Sequence, residues 1–324
     1  MTGRPPRGAP RWRRLVWVLA CFALIAACGS YPYFFVARPI GGGPVRIAVP
    51  REPFTRGPWT TRPVVFVGLG DSITAGFGAS PGKSYFERLV KNPGDEFADL
   101  RGVSLSAVFP KLTANNRSVS GSMSLEHAAH QTSRLPKQNA GTLGVVVFTT
   151  GGNDLIHNYG RTPPEEGAMY GATFEQARPW IAAFERRLNR MIADVRGAFP
   201  GGCHVFLANI YDPTCGAGDI ETAGLPPWPD GLRILRAYND VIARCAARPS
   251  HRGVVHLVNL HDAFLGHGIH CTKSWSRHYD SGDPHYWYYT NLEDPNDRGY
   301  DAIRRLFLRE MARMMREAPP RTEP

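Results

Sequence analysis

Four apolar segments, separated by longer amphipathic segments, are the feature that most constrains the fold of this chain. They cover residues 63–69, 143–150, 204–210 and 254–260, and each is a candidate strand. A strand that is apolar along its whole length is buried on both faces, which is typical of parallel sheets. We therefore expect a single doubly wound, flavodoxin-like α/β domain, a three-layer αβα sandwich with a central, mostly parallel sheet.

The amphipathic segments are the helices expected to cover this sheet. Phe174 to Phe199 carries apolar side chains spaced as one helical face: Ile181, Phe184, Leu188, Met191, Ile192 and Val195. Leu232 to Cys245 repeats this spacing, and a last amphipathic helix is expected over residues 297–315. Helices of this kind form the crossovers that parallel strands need.

Composition sets the expected boundaries of the domain. Residues 29–62 contain three consecutive glycines and several prolines, which predicts a linker. Val45 to Val49 is a short strand candidate that could form an edge strand. We expect the domain to cover residues 63–315 and residues 316–324 to be a disordered tail.

The N-terminus has the pattern of an export segment, because five arginines precede an apolar run from Leu15 to Ala27. Ile25-Ala26-Ala27-Cys28 resembles the bacterial lipobox, whose cysteine is lipidated after cleavage. Residues 1–28 are therefore an expected export signal or membrane anchor. An uncleaved helix is the alternative, since Tyr31 to Val36 extends the run to about twenty residues. Both alternatives place the body of the protein outside the cytoplasm, membrane-anchored or secreted.

The net charge of +10 does not indicate a nucleic-acid partner. The five N-terminal arginines supply half of it, and the rest of the chain has 33 basic and 28 acidic residues. No basic stripe interleaved with aromatic residues follows. Nucleic-acid binding is therefore not expected.

Four cysteines follow Cys28, and an even number in an exported chain suggests two disulfides. The expected topology places Cys203 and Cys245 at the bottom of the sheet, and Cys215 and Cys271 at its top. It therefore predicts the pairs Cys203–Cys245 and Cys215–Cys271.

His267, His270 and Cys271 are a possible zinc-binding set. A disulfide better explains Cys271 in an exported protein, so no metal site is expected.

Polar motifs follow the expected strands at their carboxyl ends, where open α/β sheets bind ligands. Gly70-Asp71-Ser72 follows the first strand, and its serine is either a nucleophile or a helix cap. Further along come Asn116 to Gly121, then Gly151-Gly152-Asn153-Asp154, and Pro295-Asn296 before the last helix.

Together these motifs, over residues 63–315, resemble those of the GDSL or SGNH hydrolases. The resemblance implies that Ser72 is the nucleophile of an esterase. It also implies that the backbone N–H groups of Ser72 and Gly121 and the amide of Asn153 form the oxyanion hole. Such neutral donors stabilise the charge that develops on an ester carbonyl oxygen.

The chain departs from the family pattern at the last motif. Asn291 and Asp294 stand where the family has aspartate and the histidine that acts as general base. In one interpretation, which we favour, His285 is the base and Asp294 or Asp283 orients it. In a second, Asp294 itself is the base, and in a third the site is inactive and the domain only binds.

The expected function is an exported serine ester hydrolase that cleaves acyl or acetyl esters through an acyl-enzyme on Ser72, with no cofactor. Its partners would be a small-molecule, carbohydrate or lipid ester and the membrane that holds its N-terminal anchor. A binding module for cell-envelope carbohydrate or lipid and an O-acyltransferase are the alternatives.

Overall fold

Five strands form one sheet in the computed structural model, which describes residues 11–317. The strands are β1 (Val64–Leu69), β2 (Leu112–Asn116), β3 (Leu143–Phe148), β4 (Cys203–Ala208) and β5 (Val255–Val258). Their order is β2-β1-β3-β4-β5, and all neighbouring pairs are parallel. This is the strand order of flavodoxin-like folds, so the expected α/β fold is confirmed.

Helices cover both faces of this sheet. The α-helices are α1 (Arg11–Tyr31), α2 (Glu52–Thr55), α3 (Ser72–Ala75), α4 (Tyr85–Val90), α5 (Leu105–Val108), α6 (Ser124–Glu126), α7 (Gly152–Ile156), α8 (Phe174–Ala198), α9 (Gly231–Ala247), α10 (Leu260–Phe264) and α11 (Asp297–Glu317). Short π-helices are Pro32–Val36 and His127–Gln131, and short 3₁₀ helices are Ala98–Leu100, Thr132–Arg134, His157–Gly160, Ile220–Ala223 and Pro249–His251. Helices α8 and α9 pack in one core and α11 in the other, whereas α1 extends away from the sheet.

Alternate residues of the central strands enter two separate cores. Val146 and Phe148 of β3 pack in the same cluster as Phe184 of α8. Val145 and Val147 point the other way, into the cluster that contains Phe307 of α11. Both faces of the sheet are therefore buried, which is why its central strands are apolar throughout.

Strand β2 has no counterpart among the four expected strands. Its sequence is polar, and its residues from Thr113 to Asn116 are exposed. It lies at an edge and pairs only with β1. An edge strand open to solvent lacks the apolar run by which the other strands were recognised.

Residues 39–49, which we call the strap, do not form the expected edge strand at Val45–Val49. Side chains of α11 bind the strap instead. Arg298 donates to the Gly43 carbonyl (2.9 Å), Arg305 donates to the Ile47 carbonyl (3.2 Å), and Asp301 accepts from the Val45 N–H (3.4 Å). These bonds satisfy the backbone without a neighbouring strand.

The N-terminal segment Leu15–Val36 is long and apolar enough to cross a membrane, with a mean hydropathy of 1.9. A signal sequence has the same properties. Its side chains are largely exposed in the structure. At the other end, α11 continues to Glu317, and the part of the expected tail after residue 317 lies outside the described residues.

The cysteines of the described chain, which include all six of the sequence, form no disulfide. Neither expected pair, Cys203–Cys245 or Cys215–Cys271, is therefore present. The Cys215 sulfur accepts a hydrogen bond from the Gly268 N–H instead (3.2 Å). Burial and the nearby Cys215 raise the pKa of the Cys271 thiol to about 12, so these two cysteines are neighbours.

Candidate active site

The turn after β1 can be made only by a glycine. Gly70 has φ +120°, and a Cβ on it would lie 2.0 Å from the Thr149 carbonyl oxygen. The Gln131 amide holds the turn by accepting from the Gly70 N–H (2.7 Å) and donating to its carbonyl (2.8 Å). Strands β1 and β3 therefore meet closely where the first polar motif begins.

Ser72 is the first residue of α3, and Asp71 is its cap. The Asp71 carboxylate accepts from the Ile73 N–H (3.2 Å) and from the Thr149 hydroxyl (2.7 Å). Because Asp71 fills the capping position, the half-buried Ser72 hydroxyl is left at the carboxyl edge of the sheet. This is the arrangement that a nucleophile at this motif requires.

Asp294 is the titratable side chain that faces Ser72. Its Oδ2 accepts from the Asn291 amide (2.7 Å), while its buried Oδ1 has no hydrogen bond of regular geometry. Burial raises the pKa of Asp294 above its ordinary value, and the Ser72 hydroxyl and the Asn291 amide act in the opposite direction. A carboxylate with a raised pKa is a better base than an ordinary one.

Two further carboxyl groups lie near Asp294. Burial and the charge of Asp294 raise the pKa of Asp71 to about 6. The same two causes raise the pKa of Glu293 to about 7. The site therefore brings three carboxyl groups together near Ser72, and burial raises the pKa of each of them.

Neither His285 nor Asp283 lines the cavity that contains Ser72. The His285 Nδ1 binds the Asp283 carboxylate (2.5 Å). The same carboxylate accepts two hydrogen bonds from the Arg298 guanidinium, each of 2.7 Å. The imidazole packs against the strap, where a Cβ on Gly41 would lie 2.4 Å from it. The favoured interpretation, in which His285 is the base, therefore does not fit this geometry, because the imidazole is held elsewhere.

The expected oxyanion-hole residues lie on two adjacent segments. The Asn153 amide donates to the Ser122 carbonyl (2.9 Å), which places the loop containing Gly121 beside α7. Gly121 has φ +79°, and the space where a Cβ would lie is open. Asn153 and Ser72 line the same cavity. A neutral amide and an open glycine backbone are suitable donors for an oxyanion.

His127 supports this loop and carried no motif that would reveal it. Its ring joins the Ser122 hydroxyl (2.8 Å) to the Thr150 hydroxyl (2.8 Å) and is completely buried. Burial lowers the pKa of His127 to about 3, so the ring is neutral. Ser122 lies in the loop before α6 and His127 directly follows α6, and their spacing of five residues was the only available signal.

Asp154, which follows Asn153, has a supporting position as well. Its buried carboxylate accepts from the Ser124 N–H (2.7 Å) and lies 3.7 Å from Arg187. It therefore fixes the start of α6, after the Gly121 loop.

The possible zinc-binding residues do not converge. His267 stacks on Trp287 with ring centroids 3.5 Å apart, and His270 binds Asp219 (2.8 Å). Within residues 11–317, no group of three His, Cys, Asp or Glu side chains is arranged to hold a metal ion.

A cavity of about 150 Å³ opens beside Ser72. Its polar lining includes Ser72, Asn153, Asn291 and Glu293. Most of its remaining wall is apolar, from α7, the 220–223 helix, α9 and the segments between them: Leu155, Ile156, Tyr159, Ile220, Leu225, Trp228, Leu232 and Leu235. Ser72 thus lines a cavity whose wall is mostly apolar.

The chain belongs to the GDSL-like Lipase/Acylhydrolase family, whose model matches residues 69–302. Membership supports an acyl ester hydrolase. A search of the curated proteins finds no match.

Solved structures similar to the chain include three from bacteria of different genera. An extracellular lipase from Streptomyces rimosus is 18% identical, with 79% of this chain and 100% of that chain covered and a TM-score of 0.46. The esterase EstA from Pseudoalteromonas sp. is 15% identical, with 78% and 99% covered and a TM-score of 0.45. Axe2, an acetylxylan esterase from Geobacillus stearothermophilus, is 15% identical, with 78% and 96% covered and a TM-score of 0.47.

Proposed function

We propose that the protein is a serine ester hydrolase in which Asp294, rather than a histidine, is the general base. The observation that carries this proposal is the buried Asp294 carboxylate, which accepts from the Asn291 amide through Oδ2 (2.7 Å) and lies within hydrogen-bonding reach of the Ser72 hydroxyl. Asn291 and Asp294 occupy the positions at which the family has its aspartate and histidine. In the family pattern, a carboxylate orients the imidazole that acts as base. Here the Asn291 amide would orient the Asp294 carboxylate, which would act as base.

Acylation follows from this arrangement. Ser72 Oγ attacks the acyl carbon of the ester while its proton moves to Asp294 Oδ1. The carbonyl π electrons move to the oxygen, where the N–H groups of Ser72 and Gly121 and the Asn153 amide stabilise the charge. Collapse of this intermediate breaks the bond to the alcohol oxygen, which takes the proton from Asp294 and leaves. The acyl group is then an ester of Ser72.

Deacylation reverses these steps with water as the nucleophile. Asp294 takes a proton from water as the hydroxide adds to the acyl carbon, and it returns the proton to Ser72 Oγ as the acid leaves. A sugar hydroxyl in place of water would make the same residues an acyltransferase.

The cavity favours a substrate with an apolar acyl group. Its wall apart from the polar lining is built from leucine, isoleucine and aromatic side chains, which gain free energy by excluding water from an acyl chain. We expect the alcohol part to lie toward the polar lining, near Glu293. An acyl chain of several carbons would use this wall, and an acetyl group would leave most of it unoccupied.

We further propose that the enzyme is exported and attached to a membrane. The arginines before Leu15–Val36 and the apolar length of that segment support this location. The attachment is either this helix or a lipid on Cys28. In an oxidising compartment the neighbouring thiols of Cys215 and Cys271 would form the expected disulfide.

A fluorophosphonate probe and a series of aryl esters test the catalytic proposal. We expect the probe to label the wild type and not Ser72→Ala. Asp294→Asn should lower kcat/KM by about 10² to 10⁴, the range for loss of a general base. His285→Gln should retain most of the activity, and hexanoate esters should be cleaved better than acetate esters.

Other outcomes would identify the alternatives. A folded wild type that neither reacts with the probe nor cleaves any ester would indicate a binding module. Activity that is lost in His285→Gln and kept in Asp294→Asn would restore the histidine as base. Transfer of the acyl group to an added sugar at the expense of hydrolysis would indicate an acyltransferase.

A further inference from the structure

The end of the N-terminal helix packs against the catalytic domain through aromatic rings. Phe34 lies 4.9 Å and Phe35 lies 6.0 Å from Trp275, measured between ring centroids. Tyr31 stacks on Phe35 at 5.0 Å. We call Tyr31, Phe34, Phe35 and Trp275 the aromatic surface. It joins the apolar N-terminal segment to the loop that follows Cys271.

The aromatic surface is open to solvent although its members are large and apolar. Tyr31 is 61% exposed, Phe35 is 54% exposed and Trp275 is 60% exposed. Contiguous exposed aromatic rings of this size mark a contact surface. Their continuity with a segment of membrane-spanning length identifies the occupant as a lipid bilayer rather than another protein.

The length of that segment fixes the depth of the surface. Leu15–Val36 has 22 residues. As a helix it would span about 33 Å, slightly more than the hydrocarbon core. Its end at Phe35 would then lie at the membrane interface, where aromatic side chains are favoured. Trp275 contacts Phe35 and must lie at a similar depth. A lipid on Cys28 would also place Phe34 near the membrane interface, because Phe34 is only six residues from Cys28.

Basic side chains surround the aromatic surface. The Lys273 Nζ lies 5.2 Å from the Phe35 ring centroid, and Arg277 is exposed in the same loop. Arg38 follows the helix and is exposed as well. Lysine and arginine at this depth are attracted by anionic lipid headgroups.

We propose that the aromatic surface, together with Lys273 and Arg277, is a membrane-contact surface that seats the catalytic domain on a bilayer containing anionic phospholipid. This inference rests on the membrane attachment in the proposed function, but not on the catalytic steps. The same loop reaches the cavity side of the domain, since the His278 ring would lie 3.3 Å from a Cβ on Gly216, two residues before the cavity-lining Gly218. The surface and the acyl-binding cavity are thus on neighbouring loops.

Photo-crosslinking of the full-length chain tests this contact. Benzoylphenylalanine replaces Trp275 in one protein, Trp17 of α1 in a second and the exposed Thr113 of β2 in a third. Each is reconstituted in vesicles of phosphatidylcholine and phosphatidylglycerol at about three to one and irradiated. We expect the protein to gain the mass of one phospholipid at position 275 and at position 17. Crosslinking at position 113 should be at least about tenfold lower, because β2 lies at the opposite edge of the sheet.

The control positions separate this inference from the attachment itself. Lipid at position 17 but not at 275 would overturn the contact surface and leave the anchor intact. Lipid at neither position of the uncleaved full-length chain would overturn both the contact surface and attachment through the helix. Equal crosslinking at positions 275 and 113 would show that no particular face of the domain contacts the bilayer, and it would also overturn the proposal.

A second measurement concerns the charges. Replacing both Lys273 and Arg277 with glutamine should lower crosslinking at position 275 several-fold in the anionic vesicles and leave it unchanged in pure phosphatidylcholine. Equal crosslinking with and without the two charges in the anionic vesicles would show that Lys273 and Arg277 are not part of the membrane-contact surface.

Discussion

A carboxylate that acts as the base of a serine hydrolase has to be held in place and kept ionised. Asn291 holds Asp294 in place, since its amide donates to Oδ2 (2.7 Å) and its own Oδ1 accepts from the Asp294 N–H (3.2 Å). Hydrogen bonds to the charged form of a carboxyl group lower its pKa, and here the amide opposes the effect of burial. Loss of Asn291 should therefore change both the geometry and the protonation of Asp294.

We predict that Asn291→Ala lowers kcat by about tenfold or more and moves the acidic limb of the kcat/KM profile to higher pH. The direction follows because the pKa of Asp294 rises once the amide no longer stabilises the carboxylate. The measurement is ester hydrolysis from pH 4 to pH 9. The control is Asn139→Ala, which changes an exposed asparagine distant in sequence from Asn291. An unchanged acidic limb in the presence of a lower kcat would show that Asp294 is not the titrating group.

His127 gives the protein a stability that depends on pH. Its folded-state pKa of about 3 is below the ordinary value of 6.5 for an unfolded histidine. Below pH 6.5 the unfolded chain therefore binds a proton that the folded protein does not, and stability falls as the pH falls. Asp71 acts in the opposite direction, because its folded-state pKa is raised to about 6 and protonation favours the folded state.

We predict that His127→Gln is less stable than the wild type at pH 7 and that the difference narrows by about 2 to 3 kcal/mol at pH 4.5. At pH 4.5 the wild type loses stability, because its unfolded state binds a proton at His127 that the folded state does not. The variant has no histidine at this position and loses no stability in this way. Urea unfolding at both pH values measures the two free energies. A constant difference between the proteins would contradict a neutral, buried His127.

The connection from β1 to α3 is the element on which the site depends. We predict that Gly70→Ala destabilises the protein by about 2 to 6 kcal/mol, because a methyl group adds both a strained φ and an overlap with the Thr149 carbonyl. Gly82→Ala is a matched control, since Gly82 also has a positive φ (+76°) but no atom within 4 Å of its Cβ position. It should cost about 1 kcal/mol. Thermal unfolding compares the two, and equal losses would mean that overlap at the turn is unimportant.

The elements that could be predicted from the sequence are those whose burial leaves a pattern. Strands β1 and β3 are apolar on both faces, β4 and β5 are apolar except for one histidine each, and α8 and α9 have one apolar face, so each was expected near its observed position. Strand β2 is exposed and polar and has no such pattern. The strap was mistaken for an edge strand because its partners are side chains of α11, which lie about 250 residues away in the chain.

The candidate site was predictable to a similar extent. Gly70, Ser72 and Asn153 follow strands directly, so the strand order alone brings them to one edge. His285 lies in a long irregular segment. Asp283 was one of its two expected partners and does bind its ring, but nothing in the sequence shows that the ring also packs on Gly41. The choice between His285 and Asp294 depends on the path of that segment. A sequence motif contains no such information.

On the scale of the whole molecule, a buried cluster of charges joins the strap, α4 and α11. Asp301 is its centre and accepts from the Val45 N–H (3.4 Å) and from Arg305 (2.8 Å), with Arg88 at 3.8 Å. Arg304 also donates to Asp301 and binds Glu96. Buried arginines are tolerated only while their charges are compensated. Asp301 therefore contributes both to the attachment of the strap and to the packing of α11, beside the bonds that Arg298 and Arg305 make to the strap.

We predict that Asp301→Ala lowers the free energy of unfolding by about 3 to 5 kcal/mol, the usual cost of leaving buried charges without a partner. The loss should exceed that of Glu175→Ala by several-fold, because the Glu175–Arg178 pair is largely exposed and such pairs contribute about 0 to 1 kcal/mol. Denaturant unfolding gives both values, and proteolysis between residues 39 and 49 reports on the strap. If Asp301→Ala lost no more stability than Glu175→Ala, the cluster would not be what holds the strap. Cleavage of the strap in Asp301→Ala, under conditions where the wild type resists it, would show that the carboxylate fastens the N-terminal segment to the catalytic domain.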